Sequence, residues 1–301
     1  LPGILGTSAP AINNADMKSY GWEMELSWRD RINEFNYGVR FTLADGQREV
    51  TKYPNESGDI NTWYAGKLDG TIWGYTTVGI AQTQEEMDAH LANNKPNWGS
   101  KWGAGDVMYA DLNGDGEVTS GSSTLGDHGD LTVIGNSYAR YNFGLTLDGS
   151  WKGLDFSVFL QGVMKRDYWL SGPYFWGASG DEWQSACFTE HLDYWTPDNP
   201  DAYYPKPYFG GITKNQQVQT GYLQNAAYLR VKNVQIGYTL PKSWTQKASM
   251  ESVRFYVSGD NLLTLTGISA IFDPETLGGD WGPGKLYPLQ RTISVGVNVN
   301  F

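Results

Sequence analysis

The sequence predicts an all-β fold: seven antiparallel strands in the wall of a transmembrane β-barrel, with long loops on one side. Three observations predict it. Seven segments alternate apolar and polar residues over about ten positions, the length that crosses a bilayer at a tilt. The connections between them alternate strictly between short and long. The last segment keeps its alternation to the final residue, the aromatic Phe301.

The first strand is expected near 21–29, with Trp22, Met24, Leu26 and Trp28 on one face and Glu23, Glu25, Ser27 and Arg29 on the other. A polar turn, Asp30 to Glu34, leads to a second strand near 35–43, where Tyr37, Val39, Phe41 and Leu43 share a face. The third (138–148) and fourth (154–163) are joined through Gly149-Ser150-Trp151-Lys152-Gly153 and read as a hairpin. The fifth covers 228–240. Its alternation changes phase near Asn233, because Leu229 and Val231 are odd-numbered while Val234, Ile236 and Tyr238 are even-numbered, which marks a β-bulge. The sixth covers 252–264 and the seventh 289–301, with Ile293, Val295, Val297, Val299 and Phe301 facing outward.

Short links (Asp30 to Glu34, Gly149 to Gly153, Pro241 to Glu251) alternate with long loops at 44–137, 164–225 and 265–288. Outer-membrane barrels have short periplasmic turns and long extracellular loops. That parity makes the last strand run inward and leaves Phe301 in the periplasm. Inside the first loop, Thr71 to Ala81 is expected to form a strand that does not cross the membrane. Thr83-Gln84-Glu85-Glu86 is a capping box opening a short helix to about Asn93.

Composition agrees. The 301 residues include 37 Gly, 13 Trp and 19 Tyr, which suits pleated surfaces, turns and interfaces. Mean hydropathy is −0.46, and no run of ~18 apolar residues exists, which excludes membrane-spanning helices but not strands. The net charge of −11 offers no basic stripe for nucleic acid. The single Cys187 excludes an internal disulfide. The chain opens on Leu1-Pro2-Gly3 with neither a charged nor an apolar leader region, so a piece of a longer protein is expected. A soluble β-sandwich also has alternating strands. It supports a second reading, a secreted glycan-binding module with a calcium loop.

Chemistry-bearing signals are few. Asp111, Asn113, Asp115 and Glu117 match the first half of a calcium loop, with Gly116 at the sharp-turn position. The twelfth position holds Ser122 where a bidentate acid is expected, with Asp127 and Asp130 further on, and an Asx-rich turn explains the same residues. Trp169, Tyr174, Trp176, Trp183, Trp195 and Tyr204 are candidates for ligand or partner contact, since flat aromatic faces suit sugar rings; packing the loops together is the alternative. His90, His128 and His191 lack metal-ligand spacing, and no nucleophile elbow or phosphate loop occurs, so no enzyme is expected.

Tyr228-Leu229-Arg230-Val231-Lys232-Asn233-Val234-Gln235-Ile236-Gly237-Tyr238, Val253-Arg254-Phe255-Tyr256-Val257-Ser258-Gly259-Asp260-Asn261-Leu262-Leu263 and Asp106-Val107-Met108-Tyr109-Ala110-Asp111-Leu112-Asn113-Gly114-Asp115-Gly116 resemble SusC/RagA-type TonB-dependent receptors. So do Thr132-Val133-Ile134-Gly135-Asn136, Leu1-Pro2-Gly3 with Leu5-Gly6-Thr7, and Gly21-Trp22-Glu23. The resemblance runs nearly end to end. It implies the carboxy-terminal seven strands of a 22-stranded barrel in the outer membrane of a Gram-negative, Bacteroidetes-like bacterium. It also implies import of oligosaccharides or peptides powered through TonB, a SusD-like surface lipoprotein as partner, and Phe301 as the assembly signal. The plug, the TonB-contacting segment and the earlier strands are missing from this sequence. Seven strands alone leave open edges that lipid cannot satisfy, so the chain is not expected to insert or transport by itself.

Overall fold

All seven alternating segments form strands in the computed structural model, which describes residues 13–177, 187–208, 210, 212–278, 282 and 284–301. The strands are β1 (Asp16–Ile32), β2 (Phe35–Lys52), β3 (Arg140–Trp151), β4 (Leu154–Lys165), β5 (Tyr228–Thr239), β6 (Ser252–Thr266) and β7 (Thr292–Asn300). They make one sheet in sequence order, each antiparallel to the next.

Register turns the alternation into two continuous faces. Trp28, Val39, Leu147, Val158, Val234, Gly259 and Ile293 form one row across all seven strands. Ile32, Phe35, Trp151, Leu154, Tyr238, Phe255 and Val297 form another, nearer the short turns. Five outward rows pass through Leu43, Phe41, Val39, Tyr37 and Phe35 of β2, the last three reaching β7. At ~6.8 Å per two residues they span roughly 27 Å along the strands, close to the apolar band of an outer-membrane barrel. The band is uncovered: Val295 is 80% and Ile293 70% exposed. No second sheet lies over it among the described residues, so the sandwich reading fails, because a sandwich buries this face. No described helix is long and apolar enough to cross a membrane.

Two of the short links are tighter than the sequence suggests. The first is Asn33-Glu34 alone, with Asn33 in the left-handed region at φ 54°, which Asn tolerates. The second is Lys152-Gly153, both at positive φ, the type I′ geometry whose twist matches the strands. The third contains two short helical turns, Lys242–Thr245 and Gln246–Ala248. At the other ends, β1 and β2 run well past 21–29 and 35–43, to Asp16 and Lys52. The expected bulge is present: Leu160 faces Val231 and Phe159 faces Asn233, which leaves Lys232 as the extra residue.

Residues between the long-loop strand ends fold into a second body. Thr71 to Ala81 is two short strands, not one: Thr71–Gly74 pairs with Thr132–Asn136, and Thr77–Ile80 pairs with Val107–Tyr109. The helix α1 (Gln84–Leu91) starts at Thr83, whose hydroxyl accepts from Glu86 N at 3.1 Å. The Glu86 carboxylate reaches back to Gln82 N at 2.6 Å, one residue earlier than a capping box requires. The core of this body is shared. Tyr75, Val107, Tyr109 and Val118 come from the first loop, Leu170, Phe175, Trp176, Tyr204 and Tyr222 from the second, and Ile268, Phe272 and Leu277 from the third.

Candidate functional site

The inward face of the sheet is polar because the alternate residue of every strand lies there. One row reads Arg29, Gly38, Asp148, Ser157, Gln235, Ser258 and Ser294. Neighbouring strands pair their charges across it. Arg40 donates to Glu25 at 2.9 Å, and Asn233 donates to Asp260 at 2.7 Å. Arg254 Nε donates to Asp155 at 2.9 Å by reaching from β6 over β5 to β4. Gly237 makes that reach possible, since a Cβ there would collide with the Arg254 guanidinium. A wall of paired charges and hydroxyls can hydrogen-bond a polar solute or a polar protein surface without trapping it in an apolar pocket.

The mouth of this wall is held by a denser network. Arg230, its side chain 3% exposed, donates Nε to Thr264 and Nη2 to Asp273, both at 2.8 Å, and its Nη1 lies 2.9 Å from Glu275. Glu275 also accepts from Lys232 at 2.8 Å. Lys232, the extra residue of the bulge, is thus a second cation beside Arg230, and both hold the loop that follows β6.

Polar bonds join the first and second loops. Tyr75 N donates to Val218 O at 2.8 Å, Val107 N to Asn215 Oδ1 at 3.0 Å and the Tyr109 hydroxyl to Lys214 O at 2.9 Å. The buried Lys214 ammonium bonds Asp106 at 2.7 Å and sits 4.2 Å from the centre of the Tyr208 ring. Asp106 also accepts from Gly103 N and Asn215 Nδ2, so this buried charge is fully partnered. The second and third loops join through the Tyr168 hydroxyl and Leu277 O at 3.0 Å.

No protein-family model matches the chain. A TonB-dependent receptor of Formosa agariphila is 25% identical over 332 residues, covering 100% of this chain and 30% of the relative. The TonB-dependent receptor SusC of Bacteroides thetaiotaomicron is 22% identical, covering 96% of this chain and 27% of the relative. Among solved structures, the RagAB peptide transporter matches with a TM-score of 0.69 at 22% identity, over 100% of this chain and 31% of that one. The RagAB peptide importer in its open-open state matches at 0.71 and 21% identity, over 100% and 30%. The chain is thus similar, over all or nearly all of its length, to TonB-dependent receptors, SusC among them, and shares the fold of the RagAB transporter. The chain spans less than a third of the length of the curated relatives it matches.

The candidate loop aromatics are mostly interior. Trp176, Trp195 and Tyr204 are about 5–6% exposed and pack the loop body, so they cannot offer a free face to a sugar. Trp176 stacks edge-on to Tyr222 at 4.9 Å, and Trp195 Nε1 donates to Gln82 at 2.9 Å. Trp169 and Tyr174 are partly buried against the same core. Trp183 lies outside the described residues.

The calcium-like loop carries the hydrogen bonds of an Asx turn. Asp111 accepts from Gly114 N and Gly116 N, both at 2.7 Å. Asn113 accepts from Asp115 N at 2.9 Å, and Asp115 accepts from Glu117 N at 2.8 Å and from Asn113 Nδ2 at 2.9 Å. Asp130 gathers the backbone of Leu112, Asn113 and Thr119 from the other side. These N–H groups, Gly116 first, hold the Asp111 carboxyl below the usual carboxylate range. No three His, Cys, Asp or Glu side chains among the described residues converge on a point that a metal could occupy. Asp111, Asn113 and Asp115 thus make the hydrogen bonds of an Asx turn, the alternative that the same residues offered in the sequence.

Two of the histidines are likewise bound up in structure. His90 Nε2 meets Tyr109 O at 2.9 Å, while the buried His191 accepts from Phe188 N at 3.0 Å and meets Phe175 O at 3.1 Å. Sequence reasoning missed the Arg230, Lys232, Asp273 and Glu275 network. Its only sequence signal is two cations at consecutive inward positions of β5 where the alternation breaks.

Proposed function

We propose that the chain forms part of the wall and mouth of an outer-membrane importer that takes up nutrient oligosaccharides or peptides with energy delivered through TonB. In this reading the seven strands are the last seven of a 22-stranded barrel. Further strands pair with the outer edges of β1 and β7, whose backbone groups lipid cannot satisfy. A SusD-like surface lipoprotein meets the loop body, the polar face lines the lumen, and Phe301, 90% exposed at the short-turn rim, is the assembly signal. The chain makes and breaks no bonds.

One observation carries this reading: an uncovered apolar band and a charge-paired polar face share one sheet, with every long loop at one end and every short turn at the other. Lipid on one side and an aqueous lumen on the other is the environment that satisfies both. Peptide is favoured as cargo only by the description of the RagAB neighbours as a peptide transporter. The test uses the full-length receptor in cells, with uptake of fluorescent oligosaccharide and peptide mixtures measured with and without an intact proton gradient. Gradient-dependent uptake of one class supports the reading. Uptake of neither, in cells where the receptor is correctly assembled, overturns it.

A further inference from the structure

The turn between β5 and β6 does not hang free below the wall. Val253 lies in the outward register, opposite Val299 and one step from the Phe255–Val297 pair. Phe255 is 48% and Val299 39% exposed, yet Val253 is only 5% exposed. The helical turn Lys242–Thr245 packs against β6 and buries its own Thr245 to 1%. The link 241–251 is thus folded up over the outward face, at the rim where the short turns lie.

What this folded turn presents is unusual for a periplasmic link. Trp244 is 64% exposed, within the helical turn that packs against β6. Lys242 and Lys247 flank it, both exposed, and neither has a carboxylate within ion-pair distance among the described residues. The neighbouring outward surface holds a groove of about 530 Å³ lined by Ile236, Tyr238, Phe255, Val257, Val295 and Val297. An exposed indole on a turn packed against the rim of an apolar face, with free ammonium groups on either side in sequence, is the chemistry that settles at a lipid headgroup layer.

We propose that the turn 241–251 is a membrane foot that binds phospholipid headgroups of the periplasmic leaflet. Trp244 sits at the boundary between headgroup and acyl chain, Lys242 and Lys247 meet lipid phosphates, and the groove receives an acyl chain. The proposal rests on the barrel reading above, and its test separates the two.

The full-length receptor, in a background without other cysteines, is placed in vesicles of phosphatidylethanolamine with phosphatidylglycerol. Nitroxide labels go on at Trp244→Cys, Val297→Cys and Leu192→Cys, and collision with oxygen and with a polar nickel chelate gives their depths. The barrel reading requires the Val297→Cys label in the acyl region and the Leu192→Cys label in water. The foot requires the Trp244→Cys label at headgroup depth. A Trp244→Cys label as open to nickel as Leu192→Cys, with Val297→Cys still in the acyl region, overturns the foot alone and points to a soluble periplasmic partner. Independently, native mass spectrometry of detergent-extracted receptor should show phosphatidylglycerol retention reduced roughly fivefold for each of Lys242→Glu and Lys247→Glu. Unchanged retention in the double variant overturns the lysine–phosphate contacts.

Discussion

Arg230 on β5 donates to Asp273 across 2.8 Å, bonding the inner wall to the loop that leaves β6. Glu275 stands 2.9 Å from the same guanidinium and shares Lys232. Two cations thus balance two carboxylates in a place nearly closed to water. Removing one partner strands the others: Arg230→Ala should cost the docking of this loop about 3–5 kcal/mol. Hydrogen–deuterium exchange of residues 267–278 should rise in that variant while β7 stays protected. Unchanged exchange would show that the loop is held by its apolar contacts instead.

The outward face gives a positional contrast. Ile293→Arg in the full-length receptor puts a charge in the middle row of the apolar band and should cost roughly 2–4 kcal/mol of barrel stability. Ser294→Arg, one residue on and facing inward, should be tolerated. Heat-modifiable migration of the assembled barrel on gels reads both, and equal behaviour of the two variants would contradict the assignment of faces.

The loop aromatics should behave as core. Trp176→Ala should destabilise the loop body by about 3–5 kcal/mol, and limited proteolysis should then cut the first and third loops as well as the second. A variant that weakens cargo binding with unchanged protease resistance would restore Trp176 to a binding role.

The Asp111 turn should be sensitive to acid and indifferent to calcium. Its folded-state pKa is depressed, chiefly by Gly116 N–H, so the unfolded state binds the proton more readily. Its stabilisation is full above the unfolded value of ~3.9 and is lost as pH falls through the lower folded value. Amide protection at Gly114 and Gly116 should hold from neutral pH to about 4 and decline below it. Asp111→Asn should remove that dependence. Calcium should leave the protection unchanged, and a clear rise on titration would reinstate a metal at Asp111, Asn113, Asp115 and Glu117.

The wall was legible in the sequence because lipid and lumen write a period-two pattern into it. Ile293 to Phe301 showed their facing in the hydropathy alone, and the phase change near Asn233 located the Lys232 bulge. Strand ends were less legible. Beyond the apolar band both faces meet water, so Lys18, Gln47 and Glu49 continue the backbone ladder of β1 and β2 without any hydropathic alternation. The loop body was hardly legible. Tyr75, Trp176 and Phe272 lie in three different loops, and nothing local in any one of them specifies the other two. Paired charges such as Arg254 and Asp155, 99 positions apart, appear in sequence only as two inward polar residues.

That shared core also makes the three loops a single mechanical part. Six strand ends feed into it, and Arg230 and Lys232 rivet it to the rim. A partner that pulls on any one loop loads the whole block, and the strain passes into the wall at several points together.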